Sequence, residues 1–496
     1  MSEPRRLHPI AAVSNALRQL KELILPLVFF LVFGSRNGDW GSYYLYGLMA
    51  IVGFVFLSGV LSWFRFTYRI EDGELRIEYG LFVRKKRYIP FERIQSFDFS
   101  EGILQRAFSL VKVTVETAGS GGMGIHSGDA VLTAVSREEA RLIQAYLTEK
   151  KSIGEDGSEF PEVKEELVYK ITPKELLLLA STSSGVGVVI SAVLAFLFQF
   201  EEFIPYERLF NGVEAFISNG IVFVAVIIFI GFLIAWAVAL IGTMVKYANF
   251  TVRRIEDDLV ITRGLLEKRQ FTIPLHRIQA IRISENLIRQ PFGFGAAFIE
   301  SAGGSSVSEE RAKVLVLPIV RKERIPSLLE PHLKGYKLGF ELQPAPQRAL
   351  PRYLVRGSLM VLPILAVSLL FFKQTGFFSL LLLIPAAAWS FLNYRDAGWN
   401  LTEQQLTIRY RKIIKTTVYM NRTKIQSMAI MKSYFQQRKQ LSTIEAVVKS
   451  GQSGSGGKVI DLDEQDSAII YSWYSFDGSR KGGNNTDTDK PPESEE

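Results

Sequence analysis

The chain has no cysteine among its 496 residues. Disulfides, thiolate nucleophiles and cysteine-ligated zinc or iron–sulfur sites are therefore all excluded. Histidine is almost as scarce, and His8, His126, His276 and His332 stand far apart, never at metal-ligand spacing. No metal site is expected. The stretch GQSGSGGKV at 451–459 has the look of a phosphate loop, but Gln452 occupies the first glycine position and Val459 stands where Ser or Thr would meet magnesium. It is read as an inter-strand loop. No Ser/His/Asp set and no paired carboxylates stand out, so neither an enzyme nor a cofactor is expected.

Charge is missing from several long apolar runs. A spanning helix needs roughly 20 apolar residues, and 221–241 supplies them without one charge; 43–64 and 176–198 are nearly as clear. Shorter runs at 357–372 and 376–392 enclose only Lys373, Gln374 and Thr375, which reads as a tight helical hairpin. The weakest, 23–33, spans only if the turn from Leu17 dips in while Arg18, Lys21 and Glu22 snorkel, and re-entrant insertion is its rival. No small-residue cleavage site follows it, which argues against a signal peptide. Six spans in three hairpins are expected, within a chain whose mean hydropathy of +0.15 already suggests a membrane protein.

One segment recurs after each hairpin. IPFERIQSFDFSEGILQRAFSL at 89–110 returns as IPLHRIQAIRISENLIRQPFGF at 273–294 and, in worn form, as MNRTKIQSMAIMKSYFQQRKQL at 420–441. Leu75, Leu259 and Leu406 each precede the isoleucine of the IQ pair (Ile94, Ile278, Ile425) by 19 residues. Ten residues past that isoleucine stand Leu104, Ile288 and Phe435, followed directly by Gln105, Arg289 and Gln436. A glycine-rich stretch, a β-type run and an amphipathic segment close each copy.

The copies read as strand-rich. ELRIEYG alternates with period two, and a second strand continues past Gly80 until Pro90. At the end of the first copy, Ser136 and Glu139 stand at capping-box spacing before an amphipathic helix. Antiparallel strands closed by one C-terminal helix are the layout of a pleckstrin-homology-like domain, although the pattern alone allows other small β-barrels.

A helix pair followed by such a unit, with the signature on Pro90, Arg93, Ile94 and Gln95 and on Pro274, Arg277, Ile278 and Gln279, resembles the bacterial pleckstrin-homology-like membrane proteins of the YdbS and YdbT type. The third copy departs from it: Asn421 replaces the proline, Lys424 the arginine, and Arg411 stands in place of Gly80 and Gly264. Its first turns are expected to differ. The resemblance implies a cell-membrane location, a non-catalytic role and a connection with tolerance of membrane-directed antimicrobial peptides.

The expected fold is thus membrane α-helical plus β, with six transmembrane helices in three hairpins, each followed by a β-barrel or sandwich domain with a C-terminal helix. The boundaries are an N-terminal segment and hairpin 1 at 1–64, domain 1 at 65–150, a linker at 151–175, hairpin 2 at 176–245, domain 2 at 246–335, a linker at 336–352, hairpin 3 at 353–394, domain 3 at 395–476 and a disordered tail at 477–496. Lys and Arg crowd the domain flanks while the hairpin turns carry only Arg36, Arg208 and Lys373, which puts both termini and all three domains in the cytoplasm.

Two sets of residues are candidate sites. Gln95, Gln279 and Gln426 either satisfy backbone groups near a sheet edge or make contacts between neighbouring domains. The basic clusters Arg84, Lys85, Lys86 and Arg87, then Lys268 and Arg269, then Arg411 and Lys412 with Arg409 and Lys415, are either solvated faces or contacts to anionic lipid headgroups. The expected partners are the lipid bilayer and a further protein chain, either a second copy or a paired membrane protein of the same family. Nucleic acid is disfavoured, because no basic stripe is interleaved with stacking aromatics. The expected function is a binding or scaffolding module of the envelope. A subunit or regulator of a transporter is the alternative, weakened by the near absence of ionisable residues inside the apolar runs.

Overall fold

The computed structural model describes residues 4–17, 19–20, 41–71, 73–80, 83–117, 129–140, 142–143, 165–183, 220–302, 312–339, 341–450 and 453–475. They fall into two compact units, Met1–Leu338 with Ser450–Ser453, and Gly339–Lys449 with Gly454–Glu496.

The first unit holds the first two repeats. Strand β1 (Arg5–Arg6) precedes helix α1 (Gly41–Arg65) in the chain, yet it pairs with β2 (Thr67–Glu71), Arg5 opposite Tyr68. β3 (Glu74–Tyr79) and β4 (Lys85–Pro90) complete an antiparallel sheet of order β1-β2-β3-β4. After a 3-10 corner at Phe91–Arg93 come β5 (Ile94–Glu101), β6 (Leu110–Thr117) and β7 (Asp129–Ser136), with residues 137–140 helical beyond them. The second repeat follows the same plan. β8 (Glu165–Lys170) is followed by helices α2 (Pro173–Ser181) and α3 (Gly220–Tyr247), then by β9 (Thr251–Ile255), its partner. β10 (Asp258–Arg263), β11 (Lys268–Pro274), a corner at Leu275–Arg277, β12 (Ile278–Glu285), β13 (Phe294–Ser301), β14 (Lys313–Arg321) and the short helix α4 (Ile325–Leu329) complete it.

The second unit is the third repeat. β15 (Gln343–Pro344) pairs with β16 (Gly398–Leu401) across the helices α5 (Leu350–Gly376) and α6 (Leu383–Asp396). β17 (Gln405–Arg411), β18 (Lys415–Asn421), a corner at Arg422–Lys424, β19 (Ile425–Met431), β20 (Leu441–Ser450), β21 (Ser453–Asp463) and helix α7 (Glu464–Tyr474) follow. In every repeat, then, four strands turn a corner into three, and helical chain is inserted between the first strand and the second. The sequence places the first strand of each repeat elsewhere: β8 and the start of α2 lie inside the stretch read as a linker at 151–175, and β15 inside the one read at 336–352.

The recurrent signature is the corner itself. Pro90 and Pro274 hold extended backbone (φ −58° and −63°) just before the 3-10 turn, and the isoleucine after the turn opens the next strand. Asn421 reaches the same conformation (φ −77°, ψ 144°) without the ring, so the third corner survives its substitution. Fifteen residues past each isoleucine, Ser109, Gly293 and Gln440 all have positive φ, a conformation shared across the copies. Leu75, Leu259 and Leu406 are all fully buried. The first turns do differ. Gly80 and Gly264 have φ of +117° and +105°, and a Cβ on either would lie 2.0 Å from a carbonyl oxygen across the turn. Arg411 instead continues its strand, adding the pair Arg411 opposite Lys415 to a ladder that otherwise keeps register.

From Ser453 onward the glycine-rich segment of the third copy is strand, not loop. Gly454, Gly456 and Gly457 lie within β21, where a Cβ on Gly456 would meet the Ala446 carbonyl at 1.9 Å and one on Gly457 would meet Ile408 at 3.0 Å. Glycine there lets strands approach closely.

Among the described residues, three helices are long and apolar enough to cross a membrane: Phe229–Tyr247, Gln347–Phe371 and Phe377–Asp396. The apolar part of α1, Met49–Arg65, is shorter. The expected span at 23–33, and the part of 176–198 beyond residue 183, lie outside the described residues, as do the tail from 476, the glycine-rich stretch at 118–124 and positions 149–164. The structure thus supports three of the six expected spans. Lys373, Gln374 and Thr375 do not form the expected turn: α5 runs through them to Gly376, and a 3-10 stretch at Phe377–Leu382 leads into α6. These two helices approach closely where Gly357 faces Ser390, whose Oγ would lie 1.8 Å from any Cβ.

Candidate functional site

Position eleven after the repeat isoleucine joins each domain to the helical chain that lies between its first strand and its second. In the first repeat, the buried Gln105 donates from Nε2 to Ser14 Oγ at 3.1 Å, and residues 10–17 are helical. In the second, Arg289 donates to Thr182 Oγ1 at 2.8 Å and to the Leu179 carbonyl at 3.3 Å, covering the C-terminal end of α2. A cation there lies at the negative end of the helix dipole. Burial pulls the guanidinium below its ordinary pKa, against a smaller opposing effect of Tyr247.

The third repeat makes the same connection through a carboxylate. The Oε1 atom of Gln436 accepts from the Ser433 backbone in a capping box, which aims Nε2 at Asp461 Oδ1, 2.8 Å away. Asp461 is fully buried in β21 and also receives Arg352 at 2.9 Å and Arg356 at 2.6 Å, both from the first turns of α5. Arg348, one turn earlier, pairs with Asp463 at 2.6 Å, and Tyr353 donates to the Ile460 carbonyl at 2.7 Å. Arginines read from sequence as topological flank charge also form a clamp that fixes a membrane helix to a strand.

The first two repeats are joined to each other as well. β5 pairs with β11, Glu101 opposite Lys268, Ser100 opposite Arg269 and Phe99 opposite Gln270. The result is one antiparallel seven-stranded sheet of order β7-β6-β5-β11-β10-β9-β8. Asp98 accepts from the Thr272 backbone at 3.2 Å, and Arg106 donates to the Leu265 carbonyl at 2.9 Å.

Comparison with known sequences agrees with the three-fold plan. The Bacterial PH domain family matches residues 21–151, 192–333 and 358–475. The chain belongs to the bacterial PH domain family. It is also 40% identical, over 496 aligned residues covering 96% of this chain and 99% of the relative, to the UPF0699 transmembrane protein YdbT of Bacillus subtilis (strain 168). Each PH match begins after the first strand of its repeat: β1, β8 and β15 all precede the matched residues.

The basic clusters meet three different fates in the three PH domains. Arg84, Lys85 and Lys86 are exposed and Arg87 is half-buried, with Glu78 pairing to Arg84 and, at 3.5 Å, to Lys86. Lys268 and Arg269 lie in the strand that joins the first two domains, Arg269 paired with Glu267 at 3.0 Å. Arg411 and Lys415 are buried on Asp396, the last residue of α6, with Lys415 at 3.6 Å, and Arg409 donates to the Asp396 carbonyl at 2.9 Å; only Lys412 of that cluster is exposed. A carboxylate at a helix C-terminus is unfavourable by itself, so these cations offset the helix end as well as the charge.

The glutamines also diverge. The Gln279 amide donates to the Arg277 carbonyl at 3.0 Å within its own corner, Gln426 is exposed, and the side chain of Gln95 lies outside the described residues. The sequence marks Gln105, Arg289 and Gln436 as a recurrent position without assigning them a role. The signal was their fixed spacing; their varied chemistry hid it.

Proposed function

We propose that this membrane protein is a non-catalytic scaffold whose three PH domains form a binding module on the cytoplasmic face of the cell membrane, served by six spans in three hairpins. The observation that carries the reading is the repeated join at Gln105, Arg289 and Gln436. A domain on a free linker samples many orientations, whereas a domain whose first strand precedes the membrane pair, and whose interior is hydrogen-bonded to the first helix, presents one face at one height. Such pre-orientation suits the holding of partners more than the turning over of a substrate. The process served is tolerance of membrane-directed peptides, in line with the family resemblance.

The test is genetic. Loss of the gene should raise sensitivity to membrane-directed peptides, and the wild-type chain should restore tolerance. The triple variant Gln105→Ala, Arg289→Met and Gln436→Ala, inserted at normal level, should fail to restore it. Full tolerance conferred by that variant would remove the basis for a scaffold, and unchanged sensitivity of the deletion strain would remove the peptide role.

A further inference from the structure

Exposed apolar side chains scattered singly are ordinary on a protein surface, but in this chain they recur at two fixed places of the repeat. The first is the turn between β10 and β11, where Leu265 and Leu266 are exposed, and its counterpart between β17 and β18, where Ile413 and Ile414 are exposed. Leu266 and Ile413, 51% and 69% exposed, both stand seven residues past the aligned leucines. The second place is directly before the joining residue. Leu287 and Ile288 precede Arg289, Tyr434 and Phe435 precede Gln436, and all four are exposed. The first domain exposes Ile103 at the same place.

Both places are fastened to the ends of apolar helices. In the second domain the Leu265 N–H donates to the Val245 carbonyl at 3.0 Å and the Gly264 N–H to the Ala248 carbonyl at 2.8 Å. Val245 lies inside the apolar stretch Phe229–Tyr247. The Arg289 guanidinium feels Tyr247, the last residue of α3, so the Ile288 beside it belongs to the same helix end. In the third domain Arg411 and Lys415, which bracket Ile413 and Ile414, both sit on Asp396, the last residue of the apolar stretch Phe377–Asp396. Gln436, next to Phe435, is tied through Asp461 to Arg352 and Arg356 near the start of α5. Gly357 of α5 faces Ser390 of α6, so these two helix ends, and the two tips with them, stand side by side.

We propose that the second and third PH domains each set two apolar tips into the acyl–headgroup boundary of the leaflet at which their helices end. A helix that crosses the bilayer holds its own ends at the bilayer surface, so an apolar side chain bonded to such an end meets lipid there rather than open water. Amphipathic surfaces of this kind bury their apolar side about 5–10 Å into the boundary. Tyr434 and the exposed Lys412 fit that depth, an aromatic ring at headgroup level and a cation snorkelling beside Ile413. The contact is apolar and indifferent to lipid charge, unlike an attraction of basic clusters to anionic headgroups. It stands apart from the scaffold reading, which concerns what the domains hold rather than how they meet lipid.

Because the chain has no cysteine, Leu266→Cys, Ile288→Cys, Ile413→Cys and Phe435→Cys can each carry one nitroxide in the full chain in lipid nanodiscs. All four replaced residues are exposed, and an unchanged melting temperature confirms that each labelled chain is folded. Asp257→Cys and Glu403→Cys, exposed at the opposite ends of β10 and β17 about 20 Å away, serve as references. Relaxation by oxygen, which prefers lipid, against relaxation by a water-soluble nickel chelate gives the depth of each label. The tip labels should lie about 5–10 Å below the phosphates, equally in discs of neutral phosphatidylcholine and of anionic phosphatidylglycerol, while the references stay in water. Tip labels as open to nickel as the references would overturn the inference. Labels closed to both reagents would overturn it in favour of a protein contact, and insertion confined to anionic discs would do so in favour of headgroup attraction. None of these outcomes alters the peptide-tolerance assay, so the two readings fail separately.

Discussion

Gln436 donates to Asp461 across 2.8 Å in the third PH domain, and the same carboxylate holds Arg352 and Arg356 of the membrane helix α5. A fully buried acid is tolerable only because two guanidinium groups and one amide surround it. Asp461 also has φ of +59°, which Asn accepts more readily than most residues, so Asp461→Asn removes charge with little change of shape. Breaking a buried pair costs about 3–5 kcal/mol, and discounting for the partly exposed arginines leaves about 2–3 kcal/mol. Thermal unfolding in detergent should show the third domain melting earlier, and an unchanged transition would mean that the clamp does not hold the helix.

The repeat leucines give a packing test. Leu75→Ala, Leu259→Ala and Leu406→Ala each remove a fully buried side chain and should cost about 2–5 kcal/mol by lost burial plus a cavity. Denaturant titration that found any of them near zero would contradict the strand phase.

Gly264 and Arg411 offer a paired substitution. Gly264→Ala forces a Cβ toward the Glu267 carbonyl in a left-handed conformation and should destabilise the second domain by about 1–3 kcal/mol. Arg411→Gly should act through the lost contact with Asp396 rather than through the turn. Limited proteolysis that showed Gly264→Ala as resistant as the wild type would place the constraint elsewhere.

Because the chain has no native cysteine, single introduced thiols report topology cleanly. Ser327→Cys, exposed beside the second PH domain, should resist an impermeant maleimide in intact cells, while Thr375→Cys, near the far end of α5, should react. The opposite pattern would invert the orientation.

Acid should loosen the exposed cluster of the first domain. Desolvation pushes the Glu78 carboxyl up, but Arg84 and Lys86 outweigh it and hold Glu78 below its ordinary value. A depressed folded pKa stabilises above the unfolded value of about 4.3 and is lost as pH falls through the folded pKa. Glu78→Gln should therefore flatten the acid limb of melting temperature against pH, slightly, because Arg84 is largely exposed. An unaltered acid limb would show the pair to be idle.

Much of this architecture was legible from spacing. The fixed interval from Leu75 to Ile94, repeated twice, marks a strand core and a corner, because hairpin register and a 3-10 turn permit no insertion between them. Arg411 in place of glycine correctly announced a different first turn. Two of the first strands, β1 and β15, are two residues long, too short for periodicity to act on, and the six-residue β8 stands apart from its partner, with helices between them. Gly454–Gly457 misled because glycine signals turns more often than close strand packing. The sites were harder still: Asp461, Asp396 and Asp98 are single carboxylates with no motif, and their partners lie 105, 15 and 174 positions away in the chain.

A strand on each side of the inserted helical chain gives every PH domain an order of events. β1, β8 and β15 are synthesised before that chain and β2, β9 and β16 after it, so no domain can close its first sheet until the insertion has been made. In the third repeat both inserted helices are long and apolar enough to cross a membrane. If they cross, β15 and β16 meet only when the second crossing brings the chain back to the side it left, and closure of that domain then reports a completed hairpin.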